Sequence, residues 1–491
     1  NYHCLTMGRM RYFSTVFAEL GGMLEYIGPM TAVPLLIAVA FREYSLLLPM
    51  AAVPATLFAL GFLLNRLPRR KEDIRLSSAF CSVALVWLVF ALVSTIPFIL
   101  VLDLSLTDAL FETMAGWTGT GFSLLHPSGY IPETLLFWRT FMQWIGGIGV
   151  IALSITMAGR GGLVQSPLFR SDSRSERILP GVIATGKEIW AVYVFLTLIG
   201  AGVILIAGVP LYEAIMLSLT TISTGGYLPF EGGLAIYESR LLEYLLIPVM
   251  IVGATPFTLY YISYRKRKLS LFGNEQVKLL LLFLAAGSAV VIADLHYLNS
   301  LPLTEAVRQG LFFTAAAIST TGYQGQQIQL FPSVTIVFLM LLMFIGGSSE
   351  SSAGGVKLSR IAIGYRGILW WFKRVFVRTK VLVPFMYGGV KVPESVAEPE
   401  LSKNMLVIIL SVLTVFIATM VVLQFHLISL DVTNLVFDIV SALSSCGLSA
   451  GYVTPGMPFV SKWVFIIVMW IGRLEVIPVI VLLLGIFRAG D

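Results

Sequence analysis

The stretch EAIMLSLTTISTGGY, residues 213–227, is an apolar run too short to cross a bilayer that closes on hydroxyls and glycine, with another apolar run soon after it. Nearly the same phrase returns as QGLFFTAAAISTTGY (309–323), and two looser copies align without a gap: DALFETMAGWTGTGF (108–122) and NLVFDIVSALSSCGL (434–448). The alignment superposes Gly121, Gly226, Gly322 and Gly447. Thirteen residues earlier stands an acid or amide (Asp108, Glu213, Gln309, Asn434), three residues earlier a hydroxyl (Thr118, Ser223, Ser319, Ser444), and just after a bulky residue (Phe122, Tyr227, Tyr323, Leu448). One such loop would be a turn. Four in register are an internal repeat, and transport folds are often built from repeated units.

The 491 residues are 57% hydrophobic and only 12% charged, with a mean hydropathy of +0.88. That is more apolar surface than a soluble domain can hide, so the composition indicates an all-α polytopic membrane protein. Apolar runs near the length needed to span about 30 Å of hydrocarbon lie at 46–64, 79–102, 135–158, 188–209, 241–263, 277–295, 404–430 and 463–487. A weaker run at 24–41 and a glycine-interrupted one at 332–347 bring the expectation to about ten transmembrane helices. The start NYHCLTMGRMRYF has neither the short apolar core nor the cleavage site of a signal peptide.

The net charge of +6 says less than its placement. Lys and Arg gather at 66–75, 160–187, 265–268 and 360–380, which the positive-inside rule assigns to the cytoplasm. The stretches 102–138, 209–239 and 427–461 have none, yet carry acids such as Asp103, Glu112, Glu133, Glu231 and Asp438, so the outer side is expected to be acidic. Cys4, Cys81 and Cys446 and the four histidines have no metal or redox spacing. GGIGV at 146–150 falls in a membrane run with no strand before it, so its glycines are read as packing positions.

Each repeat reads as spanning helix, short re-entrant pore helix, loop, spanning helix. The boundaries are 76–186, 187–272, 273–402 and 403–491, after two leading helices in 1–75. A short helix of about 11 residues reaches only about halfway through the hydrocarbon. Its loop must therefore be buried or line a wet path, because backbone facing lipid cannot satisfy its hydrogen bonds. Four loops around one axis form a central pore walled by carbonyls and hydroxyls, and the C-terminal ends of the short helices turn negative dipole toward it, which favours a cation. The lining residues are Thr118, Gly119, Thr120 and Gly121; Ser223, Thr224, Gly225 and Gly226; Ser319, Thr320, Thr321 and Gly322; and Ser444, Ser445, Cys446 and Gly447. GGSSESSAGG at 346–355 has little helical preference and should unwind.

These residues resemble the Trk/Ktr/HKT superfamily of potassium transporters over essentially the whole chain, and its Trk branch most closely. FWRTFMQWIGGIGV (137–150), FIGGSSESSAGGVK (344–357) and WIGRLE (470–475) look like its second-helix motifs. The resemblance implies K⁺ as the transported ion through a selectivity filter and no cofactor in this chain. It also implies a homodimer in the cell membrane, gated by a cytosolic ring of nucleotide-binding regulatory subunits. The unwound stretch would be the gate, with Gly346, Gly347, Glu350, Gly354, Gly355 and Lys357 in or beside it and Arg473 projecting below the filter; Glu350 departs from the family pattern, where a small residue is usual. GILWWFKRVFVRTK (367–380) reads as an interfacial helix or a docking surface for that ring.

The competing reading is a Na⁺- or H⁺-coupled secondary transporter with discontinuous helices working by alternating access; a fourfold repeat argues against it. An intramembrane enzyme would need a paired acid, Ser/Lys or His cluster at one depth, and none is visible. Nucleic-acid binding has only net charge in its favour.

Overall fold

The computed structural model describes residues 2–68, 76–125, 130–159, 182–228, 233–266, 271–377, 383–387, 390–425 and 431–488. Most of the basic cluster at 160–187, and parts of the other three, lie outside the described residues.

The leading pair is α1 (Tyr2–Ile27), extended through a 3₁₀ turn into α2 (Pro34–Ala40), and α3 (Leu47–Asn65). Repeat one is α4 (Leu76–Leu102), the short α5 (Leu106–Thr118) and α6 (Glu133–Gly159). Repeat two is α7 (Val182–Ile206), the short α8 (Leu211–Ile222), α9 (Arg240–Gly253) and α10 (Phe257–Lys266). Repeat three is α11 (Glu275–Tyr297), the short α12 (Leu303–Ile318), α13 (Ser333–Ile345) and α14 (Leu358–Phe376). A small antiparallel hairpin of β1 (Phe385–Tyr387) and β2 (Val390–Val392) follows, and repeat four is α15 (Glu394–Gln424), the short α16 (Val432–Leu443), α17 (Phe459–Arg473) and α18 (Ile477–Arg488).

Among the described residues six helices are long and apolar enough to cross a membrane, and two bent pairs bring the number to eight. The two remaining runs of the expected ten are α6, of 27 residues, and α13, of 13, too short to span alone. The four short helices have 12 to 16 residues, or about 18–24 Å at 1.5 Å per residue. They are longer than the eleven residues expected and still short of a span. Their starts are fixed by caps: the Ser105 Oγ accepts the Asp108 N–H at 3.2 Å, the Asp431 carboxylate accepts the Thr433 N–H at 2.9 Å, and Pro210 and Pro302 precede the other two.

The runs at 241–263 and 463–487 read as continuous spans, and the structure breaks both. The α9–α10 pair bends by 85° and the α17–α18 pair by 107°. Pro256 has no N–H to continue the first helix and disfavours helical torsions at Thr255. At the second, Glu475 and Val476 take left-handed torsions, φ 59° and 68°, ahead of Pro478. The second helix of repeat three ends at Ile345, and no helix resumes until Leu358. Only α6 runs unbroken, so three of the four second helices are interrupted at one level.

Aromatic packing seats the short helices. Trp117 is buried, donates its Nε1–H to the Ser94 Oγ at 2.9 Å and stacks on Phe90. Gly146 brings α6 against it: a Cβ there would lie 2.1 Å from the Trp117 carbonyl oxygen, so this glycine is a packing position. Helix α14 buries Ala362, Ile363 and Trp370 against the hairpin residues Phe385 and Tyr387, and exposes Tyr365, Ile368, Trp371, Phe372 and Phe376.

Candidate ion-conduction site

All four short helices end on the same backbone device. The N–H of the residue before each aligned glycine reaches back five residues to a helix carbonyl: Thr120 to Ala115, Gly225 to Thr220, Thr321 to Ala316 and Cys446 to Ser441, at 2.8–3.0 Å. Two left-handed residues then turn the chain. The first is Gly119, Thr224, Thr320 or Ser445, at φ 69°, 52°, 53° and 50°; the second is the aligned glycine, at 80°, 78°, 76° and 92°.

These turns close on one another in cyclic order. A Cβ on Gly121 would lie 2.3 Å from the Gly225 carbonyl oxygen, one on Gly226 2.0 Å from that of Thr321, one on Gly322 1.7 Å from that of Cys446, and one on Gly447 2.0 Å from that of Thr120. Each glycine thus admits the carbonyl that precedes the next repeat's glycine, and the fourth repeat returns to the first. The torsion and the close approach both demand glycine at these positions.

Several loop hydroxyls are engaged within their own loops, while those of Ser444 and Ser445 have no hydrogen-bond partner. The Thr118 Oγ1 donates to the Met114 carbonyl at 2.7 Å and meets the Thr120 Oγ1 at 2.8 Å; the Ser319 Oγ and Thr321 Oγ1 pair at 2.8 Å. The Ser223 hydroxyl donates to the Thr220 carbonyl at 3.3 Å.

Outside the loops, the structure brings in residues that the sequence reading did not assign to the site. Glu112 and Asp438, expected on an acidic outer face, are both fully buried. Glu112 accepts the Ser123 hydroxyl at 2.9 Å and the Leu124 N–H, and lies 3.3 Å from Arg139. Asp438 accepts the N–H groups of Ala450, Tyr452 and Val453 at 2.6, 3.0 and 2.9 Å, and the Ser449 hydroxyl at 2.8 Å. Each acid stands nine residues before its glycine, the shared spacing that was the available signal. Tyrosines stitch neighbouring repeats: the Tyr227 hydroxyl donates to the Glu112 carbonyl and the Phe122 carbonyl, both at 3.0 Å, and that of Tyr323 to the Leu217 carbonyl at 3.0 Å.

The 346–357 stretch packs against the ring. The Ser352 hydroxyl donates to the Ile222 carbonyl at 2.7 Å and the Gly253 carbonyl at 3.0 Å. The Gly354 N–H donates to the Thr320 Oγ1 at 2.7 Å, and a Cβ on Gly354 would lie 1.9 Å from the Ser444 carbonyl oxygen. A Cβ on Gly346 would lie 2.2 Å from the Gly354 carbonyl oxygen, so the two ends of the stretch are pressed together, and Gly355 packs on Gly346 in turn. Gly347 lies against Ala254 at the repeat-two break, where the Ser348 N–H also donates to the Ala254 carbonyl at 3.0 Å.

Charged groups hold the stretch on two sides. Arg473 is 4% exposed and donates from Nη1 to the Ser352 carbonyl at 3.0 Å and from Nη2 to the Gly146 carbonyl at 2.9 Å. Glu475, two residues further on, pairs with Arg360. The Lys357 Nζ donates to the Ala353 carbonyl. Glu350 accepts the Thr258 hydroxyl at 2.5 Å while its carbonyl accepts the Phe257 N–H at 3.1 Å, tying the stretch to the start of α10. Among the described residues no three His, Cys, Asp or Glu side chains cluster as a metal centre requires.

The profile of the TrkH family, described as a cation transport protein, matches residues 54–486. An uncharacterised cation transporter of Methanocaldococcus jannaschii is 30% identical over 465 residues, covering 94% of this chain and 94% of the relative. The Trk system potassium uptake protein TrkH of Halomonas elongata is 26% identical, covering 94% of this chain and 96% of its own length; that of Escherichia coli is 28% identical, covering 84% and 87%. The crystal structure of the potassium transporter TrkH from Vibrio parahaemolyticus has the same fold, with a TM-score of 0.84 over 97% of this chain and 99% of that one at 23% identity. With the family profile matching residues 54–486 and the Methanocaldococcus jannaschii relative aligned over 94% of both chains, this multi-pass membrane protein belongs to the TrkH family of cation transport proteins, which are transporters and not enzymes.

Proposed function

We propose that this chain carries K⁺ across the cell membrane through the ring of four loops, with residues 118–121, 223–226, 319–322 and 444–447 as the selectivity filter. The observation that carries the reading is the cyclic approach of each glycine to the next repeat's carbonyl, which leaves an unbroken ring of carbonyl oxygens to replace an ion's hydration shell. The relatives in Halomonas elongata and Escherichia coli are named potassium uptake proteins, which supports K⁺ as the ion. The 346–357 stretch is the gate: it bonds to repeats two and three, packs on repeat four and is held to repeat one through Arg473.

A regulatory partner completes the proposal. The same relatives are named as parts of a Trk system, and a cytosolic nucleotide-binding ring docking near α10 and α14 would act on both ends of the gate. The chain would work as a homodimer. The interrupted second helices of repeats two, three and four are the one feature that favours the rival, an ion-coupled carrier with alternating access. Flux from liposomes holding the purified chain, with K⁺, Rb⁺, Na⁺ and Li⁺ compared at fixed H⁺ and Na⁺ gradients, tests both. Passive K⁺ and Rb⁺ flux well above Na⁺ supports the pore; flux that stops when the H⁺ or Na⁺ gradient is removed supports the carrier.

A further inference from the structure

Three of the second helices carry a glycine that meets its own short helix at one register. Gly146, Gly253 and Gly472 would each place a Cβ within 2.9 Å of a carbonyl four residues before the filter glycine, those of Trp117, Ile222 and Leu443. Repeat three has Gly346 in the matching FIGG. Counting back three residues from these glycines gives Gln143, Met250, Met343 and Met469, all fully buried. Three repeats thus place an unbranched thioether at this position, and repeat one places an amide of similar length.

The amide has a matching peculiarity opposite it. The residue before the filter glycine is Thr120, Thr321 or Cys446 in three loops and Gly225 in the fourth. Gly225 is not in the left-handed region, so torsion does not require glycine there. Space does: a Cβ on Gly225 would lie 2.4 Å from the Gln143 Cδ and Oε1 and 2.9 Å from its Cβ. Gln143 fills that room and brackets Gly226, donating from Nε2 to the Gly225 carbonyl at 2.6 Å and accepting the Tyr227 N–H at Oε1 at 3.1 Å. A flipped amide would set acceptor against acceptor and donor against donor, so this pair of bonds fixes its orientation.

We infer that Gln143 is a selectivity-determining residue that substitutes for the side chain missing at Gly225 and ties up one of the four ring carbonyls. The inference rests on the filter reading above. A carbonyl oxygen already accepting an amide proton offers a weaker field and turns inward less readily, which penalises a small ion that needs close ligands more than a large one. Freeing the Gly225 oxygen therefore favours Na⁺.

The test is a set of variants read by K⁺/Na⁺ permeability ratio in liposomes, each normalised to folded protein. Gln143→Met, which installs the residue of the other three repeats, lowers the ratio roughly three- to tenfold, the factor carried by one hydrogen bond of ordinary net strength. Gly225→Thr alone clashes with Gln143 and reduces flux, while Gln143→Met with Gly225→Thr relieves the clash and recovers flux but keeps the lowered ratio, because the carbonyl at position 225 still lacks its amide donor. Should Gln143→Met fold poorly, Gln143→Glu keeps the acceptor for the Tyr227 N–H, loses the donor to Gly225 and lowers the ratio in the same direction. An unchanged ratio in Gln143→Met or Gln143→Glu, with Gly121→Ser still altering it, overturns the role of Gln143 and leaves the filter standing. An unchanged ratio in Gly121→Ser as well overturns the filter reading itself.

Discussion

Alanine at the four ring glycines should weaken selectivity in a graded order. At Gly322 the new Cβ starts 1.7 Å from the Cys446 carbonyl oxygen, so that oxygen must retreat by about 1.3 Å to reach even a tight 3.0 Å contact; at Gly121 the retreat from the Gly225 oxygen is about 0.7 Å. Each alanine also bears the cost of a left-handed torsion, about 1–2 kcal/mol. That common cost lowers stability at all four sites, whereas the displacement of the oxygen differs between them and acts on the ion. The expected K⁺/Na⁺ ratio falls by about tenfold or more, equivalent to about 1.4 kcal/mol, in Gly322→Ala. It falls less in Gly226→Ala and Gly447→Ala and least in Gly121→Ala. Ser445→Gly is the control, because Ser445 already sits at φ 50° and its hydroxyl has no hydrogen-bond partner; its ratio should stay within about twofold, as no carbonyl is displaced. The assay is ⁸⁶Rb⁺ and ²²Na⁺ flux from liposomes, with a thermal melt for each variant. Equal effects at all four glycines, or a Ser445→Gly effect as large as that of Gly322→Ala, would refute the displacement argument.

Removing two residues within 349–351 should raise basal K⁺ flux about tenfold, since it misplaces Ser352 and forfeits about two hydrogen bonds of about 1 kcal/mol each; flux from a well-folded variant that stays as low as the parent's places the gate elsewhere. Arg473→Gln should also raise flux by loosening Ser352 from Gly146, and Glu475→Gln should not copy it, because Glu475 pairs with Arg360; flux that falls in Arg473→Gln and Arg473→Ala alike would make Arg473 a packing residue. Asp438→Ala leaves three N–H groups without their acceptor, at about 1–3 kcal/mol for that of buried Ala450 and less for the part-buried ones of Tyr452 and Val453. Its melting temperature in detergent should fall well below that of Asp431→Ala, which removes only an exposed cap, and equal melting points would refute that.

The repeat was legible because backbone geometry constrains residue type there: left-handed torsion and a 1.7–2.3 Å approach leave only glycine, and four such positions in register are visible in a string of letters. The unwinding at 346–355 was legible for a similar reason, four glycines and four serines in ten residues. The breaks after Gly253 and Arg473 were missed although Pro256 and Pro478 announced them, because the apolar run carried on past each proline and hydropathy alone was read. Gln143 was out of reach: its meaning depends on Gly225, 82 positions away, and on three methionines whose equivalence shows only once the helices pack. The partners of Arg473 were equally hidden, since two of its donors go to backbone carbonyls, which no side-chain pairing rule detects.

Since one polypeptide supplies all four walls of the ring, a change in one codon alters a single wall, whereas in a pore of four identical chains it would alter all four together. Gln143 opposite Gly225 is a case of such independence: one quarter carries an amide and a bare backbone where the others carry methionine and a side chain. Ion preference in this architecture can therefore drift by quarter steps, each small enough to leave a working transporter behind it, and chains of common descent can come to rest at different discriminations between cations without passing through a dead intermediate.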